Sequence, residues 1–387
     1  MNGLKIGNVE LNPDEFSALL EPGKEAARIS NNGRMREIKG PFDGKINSIY
    51  MIDFQDGNQE KPLIFRARIS KAFRYEKTIK EKLLYPILDG SLKLQENDEL
   101  RTEVKRIIEQ KKGSYLFSKE KPPVINVQEI YHFDETCKQI PYFFTIMEYI
   151  PGISLYNFIE VHGVKNKKAN EISSETRKKL ENMLFVAGES LGKLHELKFP
   201  GFYNSILDIG KKDAEVEWKE LFFSKVNLQL EEAARHHQMK DLIQDLQDYF
   251  KKNVSLIDKD VEPVLFHNDY QPQNIIVDDA RGYINGFIDH DNWQIGAKEQ
   301  DFVKIQYWGM KGLDPRLFNC FLEGYKSIQK IDKDFQKRVN LYKMAWFILV
   351  FNFEMDKIMK NEGNVTVDKR FPSAEKYITD IKQILHG

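Results

Sequence analysis

The stretch FHNDYQPQNIIVD at residues 266–278, with GFIDHDNW at residues 286–293, decides how this chain reads. Asp269 and Asn274 stand five residues apart on a proline-containing loop that runs into the β-branched Ile275, Ile276 and Val277. β-Branched runs favour strands, and the DDARG segment at 278–282 carries turn chemistry, so a hairpin is predicted. Its second strand ends on Phe287 and Ile288, and Asp289 follows directly. Such a hairpin returns the end of its second strand beside the start of its first. Asp269, Asn274 and Asp289 are thereby gathered at one end of a two-stranded ribbon. Two carboxylates and an amide are hard oxygen donors; they suit Mg²⁺ and a substrate hydroxyl and serve soft metals poorly.

Working outward, the residues before this ribbon are β-rich. SIYMID at 48–53 and PLIFRARI at 62–69 read as strands, with Asp56, Gly57 and Asn58 as the turn between them. A helix is predicted at 72–88, with Phe73, Ile79, Leu83, Leu84 and Leu88 as its apolar positions. The charged stretch 90–121 places Leu100, Val104, Ile107 and Ile108 at helical spacing and is expected to be an exposed helical insertion. Two further strands are predicted at 124–130 and 142–147, after which Pro151 and Gly152 change the punctuation. From there helical periodicity dominates, at 175–197, 213–251, 315–330 and 335–361, interrupted by the β segment at 274–289. The expected class is α+β. Residues 1–38 form a polar arm with a helix opening at Asn12, 39–147 a small mainly antiparallel lobe, and 148–387 a larger helical lobe. A ligand is expected in the cleft between the lobes.

Composition narrows the function classes. The 387 residues carry 58 Lys and Arg against 59 Asp and Glu, a formal net charge of −1, so no long-range field favours nucleic acid or an anionic membrane. Cys137 and Cys320 are too few for a disulfide framework or a zinc site. The N-terminal residues lack the basic and apolar regions of a secretory signal. The apolar run from Ala345 to Phe351 falls far short of the ~20 residues that span a bilayer. A cytoplasmic protein is expected, and nothing in the sequence fixes an oligomeric state.

His267, Asp269 and Asn274 in the spacing HxDxxxxN, followed by Ile288 and Asp289, resemble the catalytic and metal-binding segments of the aminoglycoside phosphotransferase/choline kinase family. Those are small-molecule kinases with a bilobal protein-kinase-like fold. The resemblance implies Asp269 as the group that accepts or orients the acceptor hydroxyl, and Asn274 and Asp289 as ligands of Mg²⁺ on the phosphates of ATP or GTP. GPFDGKINSIY at 40–50 resembles the family's nucleotide-covering loop, which implicates Gly44, Asn47 and Ser48. The strand 63–68 stands where kinases carry a phosphate-pairing lysine. Here there is none, and Arg66 is the expected substitute, with Arg68 open on the same strand face. Glu81 matches the helix glutamate that pairs with this cation, with Glu76 as its competitor. Backbone groups from Glu148 to Ile150 match the segment that meets the adenine edge.

Other candidates carry less. His236 and His237 are expected as solvated helical residues, His195 as packing, His267 as orienting the loop, and Asp301 as bracing it. The implied activity is transfer of a nucleotide γ-phosphate to a hydroxyl of a small molecule, with no nucleic-acid or membrane partner. The alternative is a catalytically silent nucleotide-binding relative acting as a regulatory module. Only the missing strand lysine points that way, because Asp269, Asn274 and Asp289 are all present.

Overall fold

Asn12 opens the first helix as its neighbours dictate. In the computed structural model, which describes residues 4–42, 47–69, 74–94, 97–109, 124–258, 261–360 and 373–386, a short hairpin of β1 (Leu4–Ile6) and β2 (Val9–Leu11) leads into α1 (Pro13–Ala26). The Asn12 side chain accepts from the N–H groups of Asp14 and Glu15, and the Glu15 carboxylate accepts from the Asn12 N–H at 2.8 Å. This is a capping box, which satisfies donors that a helix start leaves unpaired. Phe16, Leu19 and Leu20 of α1 share one core with Phe65, Phe144 and Ile146 of the sheet that follows. α1 therefore lies on the small lobe through an apolar face.

That sheet is built from β3 (Arg34–Phe42), β4 (Asn47–Asp56) and β5 (Gln59–Arg68). Gly57 supplies the positive φ that the turn between β4 and β5 requires. α2 (Arg74–Leu88) and α3 (Asn97–Glu109) follow, and β6 (Ile130–Asp134) and β7 (Phe143–Glu148) complete the sheet. Its order is β3-β4-β5-β7-β6, antiparallel throughout.

Two expectations change here. α3 buries Leu100, Val104 and Ile107 in the larger core, so it is packed rather than exposed. Residues 124–129 form no sheet strand: Val127 bridges Phe287, and the Asn126 carbonyl accepts from the Phe287 N–H at 2.8 Å. Their apolar pattern is used to tie the small lobe to the ribbon of the large one.

In the large lobe β8 (Ile153–Ser154) and α4 (Leu155–Val161) precede α5 (Ser174–Leu194). β9 (Phe202–Tyr203) pairs with β10 (Glu215–Val216) ahead of α6 (Trp218–Ala233) and α7 (Ile243–Asn253). The single helix expected over 213–251 is thus two. Between them the chain turns so that Met239 and Leu242 become buried, and His236 packs edge-on to Phe351 instead of facing water. β11 (Val264–Phe266), β12 (Ile275–Asp278), β13 (Tyr283–Phe287) and β14 (Gln294–Gly296) carry the ribbon and its flanks. α8 (Asp301–Lys304), α9 (Pro315–Lys326), α10 (Phe335–Lys360) and α11 (Ala374–His386) close the lobe. Among the described residues no helix is long and apolar enough to cross a membrane.

Candidate active site

The predicted hairpin forms with Ile275 opposite Phe287 and Asp278 opposite Tyr283. Its register brings the Ile288 N–H to the Asn274 carbonyl at 3.0 Å, so Asn274 and Asp289 meet at one end. The Asn274 amide donates to the Asp269 carbonyl at 2.9 Å and to its carboxylate at 3.0 Å. That leaves the Asn274 amide oxygen as an acceptor. Asn268 and Asp289, which flank the site, both take a φ of 61°, a conformation that Asn and Asp tolerate better than bulkier residues.

The loop is held from behind by Asp301. Its carboxylate accepts from the N–H groups of His267 and Asn268, each at 2.7 Å, and lies 3.0 Å from His195 Nε2. His195 Nδ1 in turn lies 2.9 Å from the Tyr325 hydroxyl. His195 and Asp301 thus have the packing and bracing parts read for them. Burial holds the His267 imidazole below its usual pKa, and its Nδ1 accepts from the Asp269 N–H at 3.2 Å. His290 is pushed down to about 3 by burial and by His267; its Nε2 meets the Phe287 carbonyl at 2.9 Å, so that nitrogen carries the proton.

Two charged residues that the sequence reading did not single out complete the loop and its surroundings. Lys304 Nζ donates to the Asn268 carbonyl at 2.6 Å and to the Asp269 carboxylate at 3.0 Å. Burial alone would raise Asp269, but Lys304 and His267 outweigh it and hold the carboxyl below its usual pKa. Asp291 is buried and takes the Arg68 guanidinium at 3.3 Å and Lys77 at 3.3 Å. Asp289 itself is exposed to water. Desolvation by the protein around it, then Asp291 and Asp269 as like charges, push its carboxyl up to about 7.

Above the ribbon, Arg66 and Arg68 lie on one face of β5, opposite Thr145 and Phe143 of β7. Both guanidiniums converge on Glu81 of α2: Arg66 pairs with one carboxylate oxygen, and Arg68 reaches the other at 2.6 Å. Glu76 instead pairs with Lys80 at 3.6 Å. Of Arg66 and Arg68, the structure singles out neither, because one glutamate serves both. Arg66 Nε, Arg68 Nε and Nη1, and Asn47 Oδ1 are buried without hydrogen-bond partners. Ser48 is buried beside Asn47 on β4, while Gly44 lies outside the described residues. At the hinge, the Glu148 N–H donates to the Glu129 carbonyl at 2.8 Å and its carbonyl accepts from Gln128 at 2.6 Å. Ile150 follows, buried.

Among the described residues no three His, Cys, Asp or Glu side chains cluster as a metal set. Mg²⁺ commonly takes only one or two protein ligands and completes its shell with water and substrate phosphates. The Asn274 amide oxygen and the Asp289 carboxylate, crowded by like charge, fit that demand.

The site and the bilobal architecture together define a kinase-like phosphotransferase fold. The profile of the phosphotransferase enzyme family (APH) matches residues 106–335, more than half of the chain, and the chain belongs to that family. Among solved structures, a thermostable mutant of aminoglycoside phosphotransferase APH(4)-Ia in its apo form superposes with a TM-score of 0.55 at 11% identity, covering 93% of this chain and 98% of that one. The streptomycin–ATP ternary complex of APH(2")-IIa gives 0.53 at 17%, covering 95% and 99%. ADP-bound APH(2'')-Ib gives 0.50 at 15%, covering 97% of both chains. At these identities the likeness establishes the fold. No curated protein matches the chain significantly in sequence.

Proposed function

We propose that this chain is an ATP- or GTP-dependent phosphotransferase that moves the γ-phosphate to a hydroxyl of a small molecule. The observation that carries this reading is the convergence of Asp269, Asn274 and Asp289 at the ribbon end, beneath the buried Arg66, Arg68 and Glu81. Phosphoryl transfer asks for positioning and for neutralisation of phosphate charge rather than covalent chemistry from the protein. Supporting the nucleotide part are the orphaned guanidinium nitrogens of Arg66 and Arg68, donors suited to phosphate oxygens, and the ATP held by APH(2")-IIa in its complex.

In this reading Asp269 accepts the proton of the acceptor hydroxyl and aims its oxygen at the γ-phosphorus. Lys304 keeps that carboxylate ionised and oriented. Asn274 and Asp289 hold Mg²⁺, which when bound offsets charge on the phosphate oxygens. Asn47 and Ser48, at the start of β4, cover the phosphates. The backbone from Glu148 to Ile150 meets the base.

The alternative, a silent nucleotide-binding module, is separated by experiment. Nucleotide turnover is measured across a panel of small hydroxyl compounds, with Asp269→Ala as the control. Turnover that falls by about two orders of magnitude or more in the variant is expected of a lost general base. Unchanged turnover overturns the assignment of Asp269. Binding of nucleotide with no phosphorylated product from any acceptor favours the silent module.

A further inference from the structure

A cavity of about 290 Å³ opens between α2, the loop after β9, α6 and β14, with Asp291 in its lining. Its size suits a small molecule rather than a nucleotide. Three lysines line it: Lys77 and Lys80 from α2, and Lys225 from α6. Two carboxylates stand with them. Asp291 is already shared between Lys77 and Arg68, both at 3.3 Å, and Glu76 lies 3.6 Å from Lys80 with more than half of its side chain in water. Lys225 has no carboxylate within ion-pair distance among the described residues. The cavity therefore carries an excess of positive charge in a molecule whose net charge is −1.

Partial burial lowers the pKa of Lys80; Lys225 lines the cavity while exposed to solvent, and the protein around it and then repulsion from Lys80 lower its pKa. An anion seated between them relieves both penalties. Neutral donors and acceptors stand ready as well: Ser205, Asn292 and Tyr203 line the cavity. The walls are fixed. Trp293 Nε1 donates to the Lys80 carbonyl at 2.8 Å and pins α2 to the loop beyond Asp291. The cavity also adjoins the catalytic loop, because the Asn268 amide donates to the Asn292 carbonyl at 3.4 Å and Asn268 precedes Asp269.

We propose that this lysine-lined cavity binds a carboxylate or phosphate group of a small molecule, and that the molecule is the acceptor. This deepens the phosphotransferase reading and rests on it. The acceptor class becomes a hydroxylated acid or a phosphorylated polyol, in place of a polycation such as an aminoglycoside. An anionic regulator is the other source of the same chemistry.

The test is calorimetric titration of the full chain with gluconate and glycerol 3-phosphate against their uncharged counterparts, glucose and glycerol. At least one anion is expected to bind about tenfold tighter than its counterpart, and Lys225→Glu is expected to abolish that preference by placing like charge in the cavity. ATP affinity is measured on the same variant. Its retention shows that the fold and the nucleotide site survive, so a failed anion site is distinguishable from a failed kinase reading. Equal binding of anion and neutral counterpart, or a preference untouched by Lys225→Glu, overturns the proposal. A bound anion that is phosphorylated in the presence of ATP supports the acceptor assignment. One that binds through Lys225 and alters turnover without being phosphorylated overturns that assignment and makes the cavity a regulatory site.

Discussion

Lys304 stands 3.0 Å from the Asp269 carboxylate and 2.6 Å from the Asn268 carbonyl, so one ammonium fixes both the backbone and the side chain of the catalytic loop. Removing it leaves the Asp269 carboxylate held by the side chains of Gln271 and Asn274, each at 3.0 Å and both within the loop's own turn. Misplacing a reacting group by about 1 Å can cost on the order of a hundredfold in rate. Lys304→Met is therefore expected to lower kcat by roughly ten- to a hundredfold while nucleotide affinity changes about twofold or less, and Lys304→Arg to restore part of the loss. Steady-state kinetics and equilibrium nucleotide binding on the same preparations check this. A kcat equal to the parent's counts against the role of Lys304. Asp269, Asn274 and Asp289 were legible in the sequence because a hairpin is local and its turn chemistry sets its register. Lys304 was not, because its contact with Asp269 spans 35 residues and depends on where α8 comes to rest.

At the scale of elements, α5 and α9 meet through a reciprocal pair of glycines. A Cβ at Gly188 would overlap the Phe321 carbonyl oxygen, and one at Gly324 would overlap the Phe185 carbonyl oxygen. The two backbones approach as closely as they do only because neither residue has a side chain. Since backbone carbonyls cannot swing aside as a flexible side chain can, Gly188→Ala is expected to cost about 3 kcal/mol, at the upper end of the usual overpacking range. Urea unfolding measures this, and a cost below about 1 kcal/mol would mean that the helices slide apart without penalty. The helical periodicity of 175–197 and 315–330 was visible in the sequence; the close crossing was not, because a glycine on a helix looks the same whether it faces solvent or another backbone. The break after Ala233 was hidden for a related reason. The segment from Ala234 to Leu242 contains neither Gly nor Pro, and the chain turns there because burying Met239 and His236 outweighs continuing the helix. Likewise Val127 and its neighbours read as a strand, although their apolar pattern is spent on one bridge to Phe287.

Across the whole molecule, the balance of 58 basic against 59 acidic residues conceals strong local polarisation. Arg66, Arg68 and Glu81 belong to the small lobe, and Asp269, Asn274 and Asp289 to the large one; Arg66 and Asp289 act on each other across the cleft. A nucleotide with Mg²⁺ would bridge these two groups, so its binding energy would resist separation of the lobes. A ligand at a hundredfold its Kd raises stability by about 2.7 kcal/mol when it binds only the folded state. ATP with Mg²⁺ is therefore expected to raise the melting temperature of the full chain, and chelation of the metal with EDTA to remove a substantial part of that rise. Asp289→Ala should lose the metal-dependent part while keeping the rise produced by nucleotide in EDTA, because Arg66 and Arg68 still face the phosphates. Calorimetry of both proteins, with and without nucleotide and metal, gives the four values needed for each. If Asp289→Ala keeps the full metal-dependent rise, Asp289 does not hold the metal; if nucleotide stabilises neither protein under any condition, the cleft does not bind it.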